Sequence, residues 1–170
     1  CNSIETVKIM SDDYGLLSVV ATPIGNLGDF SPRAAACLEM VDIIACEDTR
    51  MTRKLLTLTG STSKARLFPY HDHNGHVMRP KLIKQLLAGK NIALVSDAGT
   101  PLISDPGFKL VAACHDHHIN VTSIPGPSAP ITALAAAGLP TDKFMFAGFI
   151  PASSKAARDA MTDVATLTFT

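Results

Sequence analysis

The stretch Leu94-Val-Ser-Asp-Ala-Gly-Thr-Pro-Leu-Ile-Ser-Asp-Pro-Gly107 combines the end of a buried strand with a tight, polar loop. The apolar run Ile92–Val95 predicts the strand, and the Gly, Pro, Asp and Thr residues after Ser96 predict the loop. In an open parallel sheet, ligands bind at the loops that leave the carboxyl ends of strands. The stretch therefore predicts a small-molecule site, with Asp97 as an acceptor at the strand end.

Similar strand-loop-helix units precede and follow this stretch along the chain. Ser31-Pro32 is typical of a helix start, and Gly60 and Gly89 are typical of the residue just after a helix. The alternation predicts an α/β fold whose parallel sheet has right-handed crossovers and helices on both faces. The predicted strands cover 16–21, 42–46, 65–70, 91–96 and 119–124, and the predicted helices between them cover 31–41, 49–59, 77–88 and 108–117.

The pattern changes after residue 124. An Ala-rich helix is predicted at 129–137, then a strand at 143–150, a helix at 153–161 and a strand at 165–169. We therefore expect an N-terminal parallel α/β domain over residues 15–124. The first part of a second, truncated α/β domain is expected over residues 125–170.

Composition limits the class of protein. Lys and Arg total 15 and Asp and Glu total 15, so a polyanionic partner would have to be recognised by a local patch and not by net charge. The four cysteines have no Cys-x-x-Cys spacing and favour reduced thiols in a cytoplasmic protein. The N-terminus lacks a signal-peptide pattern, and no apolar stretch is long enough to span a bilayer.

Two polar motifs follow the second and third predicted strands. In Glu47-Asp-Thr-Arg50, either Asp48 or Thr49 could simply cap the next helix, whereas Arg50 suits a phosphate or carboxylate. In His71-Asp-His-Asn74, an imidazole could move protons near neutral pH. A metal ion would need further ligands at fixed geometry, so no metal is expected.

Two further loops favour a ligand without proving one. Pro23-Ile-Gly-Asn-Leu-Gly-Asp29 is neither the G-x-G-x-x-G fingerprint nor a P-loop, and a tight strand-to-helix turn explains it equally well. Pro125-Gly-Pro-Ser-Ala129 is either a rigid linker in which Ser128 caps the next helix or a hinge beside a cleft between domains.

The ordered set of motifs resembles the ribosomal RNA small subunit methyltransferase I family, a branch of the tetrapyrrole methylase superfamily, over residues 16–170. The motifs quoted above carry the resemblance, together with Ala136-Ala-Gly-Leu-Pro140 and Gly148-Phe-Ile-Pro151. It implies S-adenosylmethionine as methyl donor and 2′-O-methylation of a cytidine ribose in 16S ribosomal RNA of the small subunit. It also implies a homodimer with two α/β domains, of which this chain would lack part of the second.

The resemblance also implies roles for individual residues. His71 is the leading candidate for a general base, with Asp72 or Glu47 behind it as further catalytic residues. Asp48, Arg50 and Asn74 would bind the substrate. The donor-binding residues would be Pro23, Leu27, Asp97, Ala98, Gly99, Thr100, Ser128 and Ala129.

Two alternatives stay open at this point. A tetrapyrrole or another small molecule could be the methyl acceptor, and the neutral overall charge fits this as well as RNA. The chain could instead be an inactive donor-binding fragment that pairs an open sheet edge with another chain.

Overall fold

The computed structural model describes residues 13–103 and 107–165 and divides the chain into two compact units, with the division between Pro127 and Ser128. The division lies close to the predicted boundary after residue 124. The first unit contains a parallel sheet with helices on both faces, and the second unit is described separately below.

Five short strands form one parallel sheet in the order β3-β2-β4-β1-β5. The central strand β4 pairs with β2 on one side and with β1 on the other, so that Leu94 lies level with both Ala45 and Val19. The predicted parallel α/β fold is confirmed, and each predicted strand contains an observed one. The strands are β1 Leu17–Val20, β2 Ile43–Cys46, β3 Arg66–Pro69, β4 Ile92–Val95 and β5 Val121–Ile124.

The first helix begins, and the second and third helices end, where their capping residues predict, whereas the third helix begins at Gly75 and not at the predicted residue 77. Ser31 Oγ accepts a hydrogen bond from the Ala34 N–H at the start of the first helix. Gly60 and Gly89 follow the second and third helices with φ of 68° and 81°, a conformation that favours glycine. The helices are α1 Pro32–Met40, α2 Thr49–Leu58, α3 Gly75–Leu87 and α4 Phe108–Asp116, and a 3₁₀ turn that was not predicted covers Leu27–Asp29.

Side chains that alternate along the strands build two cores, one on each face of the sheet. In β2, Ile43 and Ala45 pack with the leucines of α3 and α4, whereas Ile44 and Cys46 pack with α1 and with Leu56 of α2. Because both faces of β2 are buried, every position in this strand is apolar. The sequence therefore shows the continuous apolar run Ile43–Cys46 and not the alternation of apolar and polar residues seen in half-exposed strands.

The second unit contains two helices among its described residues, α5 Ala129–Ala136 and α6 Ser154–Val164. The predicted strand at 143–150 is wrong, because these residues have no regular structure and lie exposed. An apolar, β-prone segment becomes a strand only when another strand pairs with it, and the described part of this unit offers none. The strand predicted at 165–169 falls almost wholly on residues outside the described part.

None of the helices in the described ranges is long and apolar enough to cross a membrane.

Candidate ligand site at the carboxyl edge of the sheet

The loops after β1 and β4 are held together by a short backbone bridge. The Thr22 N–H donates to the Gly99 carbonyl at 2.9 Å, and the Gly99 N–H donates back to the Thr22 carbonyl at 3.1 Å. The buried Thr22 hydroxyl donates to the Ser96 carbonyl at 3.1 Å. Gly99 has φ of 88°, which a residue with a side chain would rarely adopt. These bonds fix the two loops against each other.

The connections that leave β1 and β4 pass to opposite faces of the sheet. After β1 the chain enters α1, which packs on the face of Val20 and Ile44, and after β4 it reaches α4, which packs on the face of Leu94. A crevice opens where neighbouring strands diverge in this way, and it is the usual ligand site of open α/β sheets. The bridge therefore lies at the position where this fold binds ligands.

Asp97 joins a third loop to this crevice. Its Oδ1 accepts a hydrogen bond from the Asp48 N–H at 3.2 Å, so the loop after β2 is tied to the loop after β4. Partial burial raises the pKa of Asp97, and the nearby Asp48 carboxylate adds to the rise. The Asp48 N–H and the Arg50 charge oppose it. The Asp97 carboxylate is exposed to solvent but partly surrounded by protein, so it can accept hydrogen bonds from a ligand.

Asp48 caps α2, as the sequence predicted for either Asp48 or Thr49. Its Oδ1 accepts from the Arg50 N–H at 2.8 Å, and its Oδ2 forms an ion pair with Arg50 Nη2 at 2.7 Å. The Arg50 side chain, through its hydrogen bond, lowers the pKa of Asp48 to about 2. Arg50 is 86% exposed. Since both carboxylate oxygens are engaged locally, the substrate-binding role of Asp48 and Arg50 stays a prediction.

A cleft of about 330 Å³, here called the Leu27 cleft, lies beside Asp97. Four of the predicted donor-binding residues line it, although sequence reasoning missed the wall supplied by α2. The signal was present as helical spacing, because positions 51, 54, 55 and 58 fall on one side of α2. The lining residues are Pro23, Gly25, Leu27, Asp97 and Ala98 from the loops and Met51, Lys54, Leu55 and Leu58 from α2.

The other four predicted donor-binding residues have different positions. Gly99 is buried within the bridge, and the Thr100 hydroxyl donates to the Pro127 carbonyl at 2.9 Å. Ser128 and Ala129 belong to the second unit, where Ser128 is the N-cap of α5 without a side-chain capping hydrogen bond. Their contact with a donor stays a prediction.

The His71-Asp-His-Asn74 motif forms a compact turn. The Asn74 side chain accepts from the His71 N–H at 2.9 Å and donates to the Pro69 carbonyl at 2.9 Å, so its amide holds the turn. His71 Nδ1 is buried and has no hydrogen-bond partner in the described part of the chain. Neither Asp72 nor Glu47, both exposed, therefore orients the His71 ring through this atom.

His71 and Asp72 line a second cavity of about 260 Å³, here called the Arg79 cavity. His71 follows the edge strand β3, which lies two places from β4, or roughly 10 Å at the usual spacing between strands. The structure therefore separates the leading candidate base from the Leu27 cleft. Glu47 follows β2, the strand between them. The cavity is lined by Tyr70, His71, Asp72, Gly75, His76, Arg79, Gly107, Phe108 and Lys109.

A metal centre finds no support in the described ranges, where no three His, Cys, Asp or Glu side chains are grouped to hold an ion.

Fold and site together define an open parallel α/β protein with a cleft at the carboxyl edge of its sheet. The sequence profile of the Tetrapyrrole (Corrin/Porphyrin) Methylases matches residues 16–168. The chain belongs to this family.

Two curated relatives are named Ribosomal RNA small subunit methyltransferase I. The protein of Escherichia coli O157:H7 is 55% identical over 150 residues, which cover 88% of this chain and 52% of the relative. That of Vibrio cholerae serotype O1 is 52% identical over 158 residues, covering 93% and 54%. The chain thus spans about half the length of the curated relatives it matches.

Among solved structures, uroporphyrin-III-C-methyltransferase from Thermus thermophilus is similar with a TM-score of 0.55 at 23% identity, covering 74% of this chain and 53% of that one. At this identity the likeness supports the fold.

Proposed function

We propose that this chain takes part in S-adenosylmethionine-dependent methyl transfer to the ribose 2′-hydroxyl of a cytidine in 16S ribosomal RNA. The observation that carries the proposal is the Leu27 cleft at the divergence of β1 and β4, where four predicted donor-binding residues meet. The names of the relatives support ribosomal RNA as the acceptor. A homodimer in the cytoplasm belongs to the same proposal.

The lining of the Leu27 cleft fits a sulfonium nucleoside. Leu27, Leu55 and Met51 supply apolar surface for a base, and thioether sulfur packs well against aromatic rings. Asp97 offers a carboxylate to ribose hydroxyls or to a positive charge. When bound, the donor supplies an electrophilic methyl group.

The chain's own residues would hold the donor, position the acceptor and remove one proton. As the 2′-oxygen attacks the methyl carbon, its proton must pass to a base, and the sulfur keeps the electron pair of the broken bond. His71 remains the proposed base, with Glu47 and Asp72 as the alternatives. The base must reach the same 2′-hydroxyl that faces the methyl group. Because His71 lies outside the Leu27 cleft, it can act as the base only where the donor's methyl group reaches toward the Arg79 cavity.

Calorimetry of this 170-residue chain with S-adenosylmethionine tests the donor site. Leu27→Ala removes apolar surface from the cleft and should weaken binding by about tenfold or more. Met40→Ala is the matched control, because Met40 is 81% exposed on α1 and does not line the cleft. Absence of binding by the unaltered chain, or equal binding by both variants, would contradict the proposed site.

Transfer is tested with a chimaera in which residues 16–165 replace the matching segment of the Escherichia coli relative. Small ribosomal subunits from a strain without the enzyme serve as acceptor, and mass spectrometry of RNA nucleosides reports 2′-O-methylcytidine. Methylation of a small molecule alone would overturn the RNA assignment. If His71→Ala and Glu47→Ala both keep near-normal turnover with donor binding intact, neither residue is the base.

A further inference from the structure

The Arg79 cavity lies where two helices begin. Gly75 and His76 open α3, Phe108 and Lys109 open α4, and the two helices pack against each other on one face of the sheet. Neither N-cap residue, Asn74 or Gly107, makes a side-chain capping hydrogen bond. Two positive helix-dipole ends therefore meet at one cavity, an arrangement that favours an anion.

The side chains around the cavity add positive charge. Arg79 is half-buried beside the Tyr70 hydroxyl, where it opposes the rise that burial gives the pKa of Tyr70. Lys109 is exposed, with its Nζ 5.7 Å from the Phe108 ring centre. His76 also lines the cavity, and Asp72 is the carboxylate among the lining residues. Two permanent cations thus face one carboxylate, in a chain whose net charge is zero.

The size of the cavity indicates which anion it suits. Its volume of about 260 Å³ lies below the ~300–1,000 Å³ of pockets that enclose a whole small ligand. It suits one charged group of a larger molecule. An arginine fork pairs with two oxygens of a phosphate at once, and a nearby lysine adds a point charge.

We propose that the Arg79 cavity binds a backbone phosphate of RNA, through Arg79, Lys109 and the first turns of α3 and α4. The inference rests on the proposed function and deepens it, because it names how the acceptor is held. It gives Arg79 and Lys109 a role that the motif resemblance did not assign, and it places the RNA backbone beside His71.

The test measures binding of a fluorescein-labelled single-stranded RNA to the 170-residue chain by anisotropy, between about 50 and 200 mM salt. Each phosphate contact to a single strand contributes roughly 0.7 to the slope of log Kd against log salt. We expect the double variant Arg79→Gln, Lys109→Gln to lower that slope by about 0.7, because the cavity holds one phosphate. Lys109→Gln alone, at an exposed position that folding tolerates, should lower it by about half as much.

The matched control is Lys64→Gln with Arg66→Gln, which also removes one lysine and one arginine. Both control residues are exposed near the start of β3, at the opposite end of the strand that leads to His71. If the control pair changes the slope as much as the cavity pair, or if neither pair changes it, the proposal is overturned. Arg79→Lys, which keeps the charge but loses the two-pronged fork, should keep the salt slope and lose part of the affinity.

Two further measurements distinguish this inference from the proposed function and from a site for free anions. Calorimetry with S-adenosylmethionine should give equal donor binding for the unaltered chain and the cavity variants. Absence of donor binding by the unaltered chain counts against the proposed function, whereas an unchanged salt slope in the cavity variants counts against this inference. Inorganic phosphate titrated at constant ionic strength, with the histidine proton signals as readout, tests a free-anion site. Binding of free phosphate with RNA affinity unaffected by the cavity pair would overturn the RNA assignment.

Discussion

The backbone N–H of Asp48 donates to the Asp97 carboxylate at 3.2 Å, which links the ends of two neighbouring parallel strands. The pKa values of the two aspartates are shifted in opposite directions, and each shift has its own cause. Arg50 lowers the pKa of Asp48 to about 2, whereas partial burial raises the pKa of Asp97 from its ordinary 3.8. One aspartate stabilises the loop, and the other is held beside the Leu27 cleft at a cost in stability.

Asp97→Asn should stabilise the chain while it weakens donor binding. A raised folded-state pKa means that stability is fully present below the unfolded pKa of 3.8 and declines as pH rises through the folded value. Asparagine is uncharged, and its Oδ1 can still accept from the Asp48 N–H. We therefore expect a higher Tm than that of the unaltered chain at pH 7, a smaller difference below pH 3.8, and roughly tenfold weaker S-adenosylmethionine binding.

Asp29→Asn is the control for this change, because Asp29 is exposed in the neighbouring 3₁₀ turn and does not line the cleft. An Asp97→Asn variant that melts lower than the unaltered chain at pH 7 would show that the carboxylate is not strained.

Asp48→Asn should alter the acid sensitivity of the fold. The lowered pKa of Asp48 means that its stabilisation is present above the unfolded pKa of 3.8 and is lost as pH falls toward about 2. Asparagine caps helices as well as aspartate does, so α2 keeps its start. The variant's Tm should therefore fall less steeply between pH 4 and 2 in calorimetric scans. Arg50→Gln should likewise weaken the dependence of Tm on pH between pH 4 and 2. An unchanged dependence in both variants would contradict the role of the ion pair.

Thr22→Val tests the hydrogen bond from the Thr22 hydroxyl to the Ser96 carbonyl, which lies beside the bridge between the loops after β1 and β4. Valine has the same shape but cannot donate to the Ser96 carbonyl, which is buried with Thr22. The expected loss is about 1–2 kcal/mol in the free energy of unfolding, measured with urea. Thr57→Val is the control, because the Thr57 hydroxyl bonds to the Arg53 carbonyl on an exposed helix face and should cost little. Equal losses in the Thr22 and Thr57 variants would mean that the buried hydrogen bond to Ser96 contributes no more to stability than an exposed one.

Gly126→Ala should crowd the loop after β5. An added Cβ would lie 2.9 Å from the Ala21 Cβ, closer than packed carbon atoms allow. A shift of this loop would also disturb the Thr100–Pro127 hydrogen bond. We expect a loss of about 1–3 kcal/mol by chemical denaturation. Gly75→Ala, at the first position of α3 with ordinary contacts no closer than 3.7 Å, should be neutral or stabilising.

The local sequence was enough to predict the five strands, the helices between them and several of their caps. Apolar runs such as Ile92–Val95 and turn residues such as Gly60 act through neighbours along the chain, which is why they can be interpreted from sequence. The prediction failed at 143–150, where β-prone residues lack a strand to pair with in the described part of the second unit. That segment shows the limit of local propensity.

The amino-acid sequence by itself determined which residues end up at the carboxyl edge of a parallel sheet, because strand direction and alternation with helices follow from local pattern. Tertiary structure alone decided which of these residues meet. By placing β4 between β2 and β1, it joined Asp97 to Asp48 and Gly99 to Thr22, while edge strand β3 kept His71 in another cavity. Strand order is set by contacts between residues far apart in the chain, and no local pattern encodes them.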